Sequence, residues 1–169
     1  QSSHANFNAA GDNFSAFPIN HGNETSMEVA YLFNWSGAPH LTQKWIRAIQ
    51  EQYYGTTPYD AYPGDEDLVQ MSSWFVMSAI GLFQMEGGCS EKPFYELASP
   101  RYPKITIRLD GKYGRGKTFV IEAPGASKEN KYIQSVTLNG KPVDGFKIPQ
   151  DEVLKGGKIV VEMGKEAKK

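Results

Sequence analysis

Pro63-Gly64-Asp65-Glu66-Asp67-Leu68-Val69-Gln70-Met71-Ser72-Ser73-Trp74, continuing through Phe75-Val76-Met77-Ser78-Ala79-Ile80-Gly81-Leu82-Phe83, joins a turn crowded with three carboxylates to a long apolar run. From Val69 to Phe83 nearly every second or third residue is apolar, including Met71, Trp74, Phe75, Met77, Ile80 and Leu82, so the spacing predicts a helix buried on most of its circumference. Such a helix needs neighbours on several sides. The chain offers few, which leaves either a small bundle or the last helices of a larger helical domain. The most apolar part, Trp74 to Phe83, is interrupted by Ser78 and Gly81 and is far shorter than the roughly 20 residues of a membrane span.

Upstream, two further helices are expected. From Ser26, the residues Met27, Ala30, Tyr31, Phe33 and Asn34 lie on a helical repeat that Ser36-Gly37-Ala38-Pro39 ends. Thr42 then stands where it can cap a segment with Trp45, Ile46, Ile49 and Tyr53 on one face, and Gly55 stops it. Residues 1–20, rich in Asn, Ser, Ala and Gly, have no such period and read as loop. Pro58, Asp60 and Pro63 give residues 56–63 the chemistry of turns.

Downstream, the pattern changes to short alternating runs at residues 104–109, 118–122, 133–138 and 158–163, which read as strands. Asn139-Gly140 is a two-residue hairpin signal. The expected class is α+β, with residues 1–85 helical, 86–103 a linker and 104–169 a β-rich C-terminal region.

Composition removes several function classes. With 18 basic residues against 19 acidic and no basic stripe, nothing suits a nucleic-acid partner. One cysteine, Cys89, forms no intrachain disulfide and has no zinc-ligand spacing around it. The sequence also lacks a phosphate-binding loop, a dinucleotide fingerprint, a nucleophile elbow and a metalloprotease helix motif. The sequons at Asn13, Asn23 and Asn34 permit glycosylation in a eukaryotic secretory route.

Two polar constellations remain. In Asp65-Glu66-Asp67, crowded like charges raise one another's pKa while a helix N-terminus lowers it, a balance that suits a base. An extended turn would project Asp65 and Asp67 to one side and Glu66 to the other. The competing reading is one capping Asp and two solvated carboxylates. The second constellation, His21-Gly22-Asn23-Glu24-Thr25, also precedes a helix, and Asn23, Glu24 or Thr25 can cap it. Trp35, Tyr53, Tyr54, Tyr59 and Tyr62 are aromatic groups of the kind that stack on a sugar's apolar face, or equally fill a core.

Taken in order, residues 21–47, 63–83, 99–107 and 132–143 resemble successive blocks of glycoside hydrolase family 92, a likeness running from His21 to Gly164 and carried most specifically by the Gly64-to-Trp74 block. That resemblance implies a calcium-dependent, inverting exo-α-mannosidase, α-1,2 in preference, whose (α/α)6 barrel would end in this chain's helices. It implies Asp65 and Asp67 as general-base candidates, Asn23, Glu24 and Glu66 as substrate-binding residues, and Ca2+ with ligands unassigned. It further implies a mannose-containing oligosaccharide or N-glycan as substrate, a catalytic acid on a preceding segment of the same enzyme, and a secreted, periplasmic or cell-surface location. Two departures border the expected pocket. Thr25-Ser26-Met27-Glu28 stands where the family shows Pro-Ser-His-His, and Leu68-Val69 stands where it shows a small or polar residue followed by Gly. Either departure can change or remove activity, and the first, at the His positions, supports the alternative, a non-catalytic carbohydrate-binding or scaffold piece with a degenerate pocket.

Overall fold

A computed structural model describes residues 19–64, 66 and 68–168. The loop reading of residues 1–18 lies outside this range. The described chain is α+β, with three of its four α-helices first, most of its strands after them, and one short helix just before the last strand.

The first expected helix is broken into pieces. Two 3₁₀ turns, Glu24–Ser26 and Val29–Tyr31, lead into a single helical turn, α1, Leu32–Trp35. The tighter winding follows from i→i+3 bonds such as Tyr31 N–H to Glu28 O at 2.8 Å, and from the Met27 carbonyl accepting the Trp74 indole N–H at 2.8 Å. Its apolar face is nevertheless buried as the pattern requires, at Met27, Ala30 and Tyr31.

Helix α2 spans Pro39–Tyr53. It starts earlier than a Thr42 cap would allow, because Pro39 sits in its first turn, where the missing N–H costs nothing, and Thr42 is buried inside the helix. Ile46, Ile49 and Tyr53 bury one face as expected. Helix α3, Gln70–Ile80, stops short of the expected Phe83. Gly81, at φ 91°, takes the left-handed C-cap, and Leu82 and Phe83 leave the helix as strand β1, Leu82–Phe83. Nor is α3 covered all round: Met71, Trp74, Ser78 and Ala79 are buried, while Ser73 and Val76 are exposed.

The remaining elements are β2, Phe94–Leu97, β3, Lys104–Arg108, β4, Thr118–Glu122, β5, Tyr132–Leu138, β6, Lys141–Pro142, β7, Lys147–Pro149, α4, Gln150–Lys155, and β8, Gly157–Gly164. They form a three-stranded sheet, β1-β2-β7, and a five-stranded sheet, β3-β4-β8-β5-β6. All four strands expected from alternation lie in the larger sheet. Its neighbours pair antiparallel except β4 with β8, which run parallel, Ile121 opposite Ile159. Asn139 and Gly140, at φ 50° and 79°, make the tight β5–β6 hairpin. Residues 86–103, expected as a linker, contain β2, so this stretch belongs to a sheet as well as connecting two regions. The reason is burial: Leu97 and Ala98 are both inside.

Two apolar cores result. One lies within the β-rich region and reaches Leu82 and Leu97. The other gathers Met27, Tyr31, Ile46, Ile49, Tyr53, Met71 and Trp74 from the helices, with Ala98. Helix α2 ties the helices to the larger sheet. Gln43 Oε1 accepts the Ile133 N–H at 2.8 Å, and the buried Arg47 guanidinium donates to the carbonyls of Pro100, at 3.1 Å, and Ser127, at 2.8 Å. Burial and the neighbouring Arg101 lower the Arg47 pKa.

Candidate functional site

The two constellations, far apart in sequence, meet. Gly64, at φ 67°, lies so close to Gly22 that a Cβ there would be 2.7 Å from the Gly22 carbonyl oxygen. A side chain at residue 64 would collide with backbone, so glycine is needed for both the conformation and the approach. This contact sets the loop of His21, Asn23 and Glu24 beside the turn that enters α3.

That turn is not extended at its described residues. Glu66, Leu68 and Val69 have φ of 69°, 57° and 71°, the left-handed region, which a β-branched valine adopts only under strain. Leu68 is 101% exposed and Val69 60%, so neither is held there by burial. The two aspartates proposed as base candidates, Asp65 and Asp67, lie outside the described residues.

Glu66 is bound into the start of α3. Its carbonyl accepts the N–H groups of Gln70, at 3.0 Å, and Met71, at 3.3 Å, and its Oε1 accepts the Ser72 N–H at 3.2 Å. The carboxylate thus satisfies an orphan donor of the first helical turn, where negative charge is favoured. Its other oxygen, Oε2, is buried without a hydrogen-bond partner among the described residues. Asn23 and Glu24 are exposed, and Asn23 Oδ1 accepts the Thr25 hydroxyl at 3.4 Å. Asn23 precedes the Glu24–Ser26 turn without a side-chain cap; its carbonyl accepts the Ser26 N–H at 2.9 Å instead.

Behind these residues stands an aromatic wall of His21, Tyr53, Tyr54 and Trp74, of which residue patterns pointed to the tyrosines and the tryptophan but not to His21. His21 is fully buried, its ring 4.2 Å from that of Trp74, edge to face, and 6.1 Å from Tyr53, stacked. Burial drives its pKa down to about 3, so the imidazole is neutral at ordinary pH. Tyr54 directs its hydroxyl at the Met71 carbonyl, 3.1 Å away, and at His21 Nε2, 2.9 Å away. A carbonyl only accepts, so Tyr54 donates to Met71 and His21 Nε2 donates to Tyr54. The Nδ1 lone pair is buried and has no partner among the described residues. Burial, then the nearby Glu66 charge, raise the Tyr54 pKa well above its ordinary range.

Of the other aromatic candidates, Tyr53 is core, whereas Tyr59 and Tyr62 are exposed. Trp35 is exposed, but its indole N–H is bound to Glu96 Oε1 at 2.7 Å. Glu96 is fully buried on β2 and also accepts from Asn34 Nδ2 at 2.8 Å. Burial raises its pKa, and these two hydrogen bonds and Lys147 work against that rise.

The calcium implied by the resemblance finds little here. Among the described residues no group of three or more His, Cys, Asp or Glu could hold a metal ion, and Glu66 Oε2 is the carboxylate oxygen left buried and unpartnered. A cation taking 6–8 oxygens needs ligands beyond these, so the described residues alone do not fit it.

The comparisons agree on one family. The model of the glycosyl hydrolase family 92 catalytic domain matches residues 3–165. An uncharacterized secreted glycosidase of Arthroderma benhamiae is 32% identical over 156 residues, 86% of this chain and 18% of that protein. Among solved structures, a family GH92 α-mannosidase from Bacteroides thetaiotaomicron, also solved with mannoimidazole, superposes with a TM-score of 0.79 at 33% identity, covering 89% of this chain and 19% of that one. A family GH92 inverting mannosidase from the same species, strain VPI-5482, gives 0.78 at 28% identity, covering 96% and 22%. The chain therefore spans about a fifth of the length of these relatives.

Proposed function

Because the chain belongs to glycosyl hydrolase family 92, we propose that it supplies the general-base side of an inverting exo-α-mannosidase site. The observation that supports this is the approach of Gly22 to Gly64, which puts the Asn23–Glu24 loop next to the turn whose sequence holds Asp65 and Asp67.

In this reading one of the two aspartates takes a proton from water as that water attacks the anomeric carbon. An acid on the opposite side of the ring gives a proton to the leaving oxygen as the glycosidic bond breaks. Inversion requires room for the water, which sets the carboxyl groups about 6.5–9.5 Å apart. The acid is assigned to polypeptide preceding this segment, so these 169 residues alone are inactive. Glu66, the third proposed substrate-binding residue, is bound to the α3 backbone and acts on the substrate by holding the turn, its Oε2 being buried. Asn23 and Glu24, both exposed, contact the sugar from the facing loop.

The helices are assigned to the end of an (α/α)6 barrel, residues 1–85, with residues 104–169 as the β-rich region that follows. Exposure supports this. The aliphatic side chains conspicuously open to solvent, Val29, Leu32, Leu68, Val69 and Val76, all belong to the helical part. An α-1,2-linked mannose in an oligosaccharide or N-glycan is the proposed substrate, calcium the proposed cofactor, and secretion the proposed destination.

The test is to incubate the intact protein with α-linked mannosides and follow the released sugar by NMR. The β-anomer appearing first is the expected result. No release from any α-mannoside would sink the reading and leave the non-catalytic alternative.

A further inference from the structure

We propose that His21 and Tyr54 are positioning residues, a strut that fixes the turn between Gly64 and Gln70 against the His21–Glu24 loop and so sets where the catalytic carboxylates stand; this rests on the mannosidase reading above.

Tyr54 lies just past the end of α2, where the backbone is already extended at φ −117° and ψ 125°. Its hydroxyl is the meeting point of three segments: it receives the His21 proton from one and gives its own to Met71 in the first turn of α3. The Met71 peptide is in turn bound to Glu66, whose carbonyl takes the Met71 N–H. A displacement of the Tyr54 oxygen therefore reaches Glu66 through one residue. The same two rings also pack on Trp74, His21 at 4.2 Å and Tyr54 at 5.7 Å, so the strut's sideways freedom is small. At its other end His21 is bonded directly to Gly22, the backbone that Gly64 touches.

Such an arrangement suits placement better than stability alone. The turn it holds contains left-handed Glu66, Leu68 and Val69, a conformation that local preference resists and that outside contacts must maintain. Neither His21 nor Tyr54 reaches the reacting atoms in this reading. Their effect runs through geometry, and displacing a reacting group by about 1 Å typically costs about 10²-fold in rate.

The decisive variant is Tyr54→Phe in the intact protein, which keeps the ring and removes both hydrogen bonds. Turnover of an α-mannoside is expected to fall at least about 10-fold in kcat with KM nearly unchanged, because the loss is felt in the transition state. Amide exchange at Gln70, Met71 and Ser72 should quicken, while exchange at Ser78 to Ile80 in the same helix stays as it was. His21→Gln offers an amide donor to Tyr54 and is expected to retain more activity than His21→Ala at equal protein stability. It also carries the test should Tyr54→Phe fail to fold. Unchanged kcat together with unchanged exchange in the first turn of α3 would overturn the strut. A rise in KM alone would also overturn it, pointing to substrate contact. If the unsubstituted protein cleaves no α-mannoside, the mannosidase reading fails instead, and the exchange measurement still decides whether these residues hold the turn.

Discussion

Replacing His21 by glutamine should change how the protein responds to acid, and the size of the change follows from burial. In the unfolded chain the imidazole titrates near its ordinary value of 6.5, and in the fold it is lowered to about 3 by loss of solvent. Below pH 6.5 the unfolded chain therefore binds a proton that the folded protein refuses, and stability falls with pH until it levels off near pH 3. Above pH 6.5 both states are neutral and His21 adds no pH dependence. Each pH unit well inside the window is worth about 1.4 kcal/mol, so lowering the pH from 7.5 to 4.5 costs about 3 kcal/mol through this one group. Carboxylates also titrate there, but they are common to the native sequence and to His21→Gln. The assay is urea denaturation of both proteins at several pH values between 7.5 and 4.5. At pH 7.5 the variant should be the weaker of the two, having lost the packing against Trp74. By pH 4.5 the difference should have moved in the variant's favour by about 3 kcal/mol. A difference independent of pH to within about 1 kcal/mol would refute a neutral, desolvated His21.

Val69→Gly should stabilise the protein by about 1 kcal/mol, since glycine adopts φ 71° without the clash a β-branched residue suffers, and little burial is lost at so exposed a position; a lower urea midpoint would contradict this. In a glycosylating host Asn34 should remain unmodified while Asn23 is available, because Asn34 Nδ2 is already bonded to Glu96 and to the Leu97 carbonyl; mass spectrometry of the peptides reads the occupancy of each. Hydrolysis of an α-mannoside by the intact protein should stop on full chelation of calcium and return on its addition, and an unaltered rate would remove calcium from the account.

Much of the fold was legible because its signals are local. The four strands of the larger sheet follow from alternation, and Asn139-Gly140 from the left-handed preference of its turn. The strands that escaped notice, β1, β2 and β7, are two to four residues long and owe their existence to partners distant in sequence, Leu82 opposite Leu97 and Tyr95 opposite Ile148. Period alone could not show that Gly81 would divert Leu82 and Phe83 from the helix into that sheet. The break-up of the first helix has a similar cause, a carbonyl at Met27 bonded to the Trp74 indole. At the candidate site both polar constellations were visible as blocks, but their contact was not, since nothing local in Gly22 or Gly64 says that each lies against the other. His21 stands in its block with no role legible from the residues around it in sequence. A histidine beside Gly-Asn-Glu reads as a polar group, and only the surrounding Tyr53, Tyr54 and Trp74 make it a buried neutral one.

The proposed base of the reaction is one of Asp65 and Asp67. The direct measurement is kcat for an α-mannoside with the intact protein and with Asp65→Asn and Asp67→Asn, each checked for unchanged melting. General-base catalysis contributes about 10²–10⁴-fold, so at least one substitution should reduce kcat by about 100-fold or more. Losses below about 10-fold at both positions would contradict the account and move the base elsewhere.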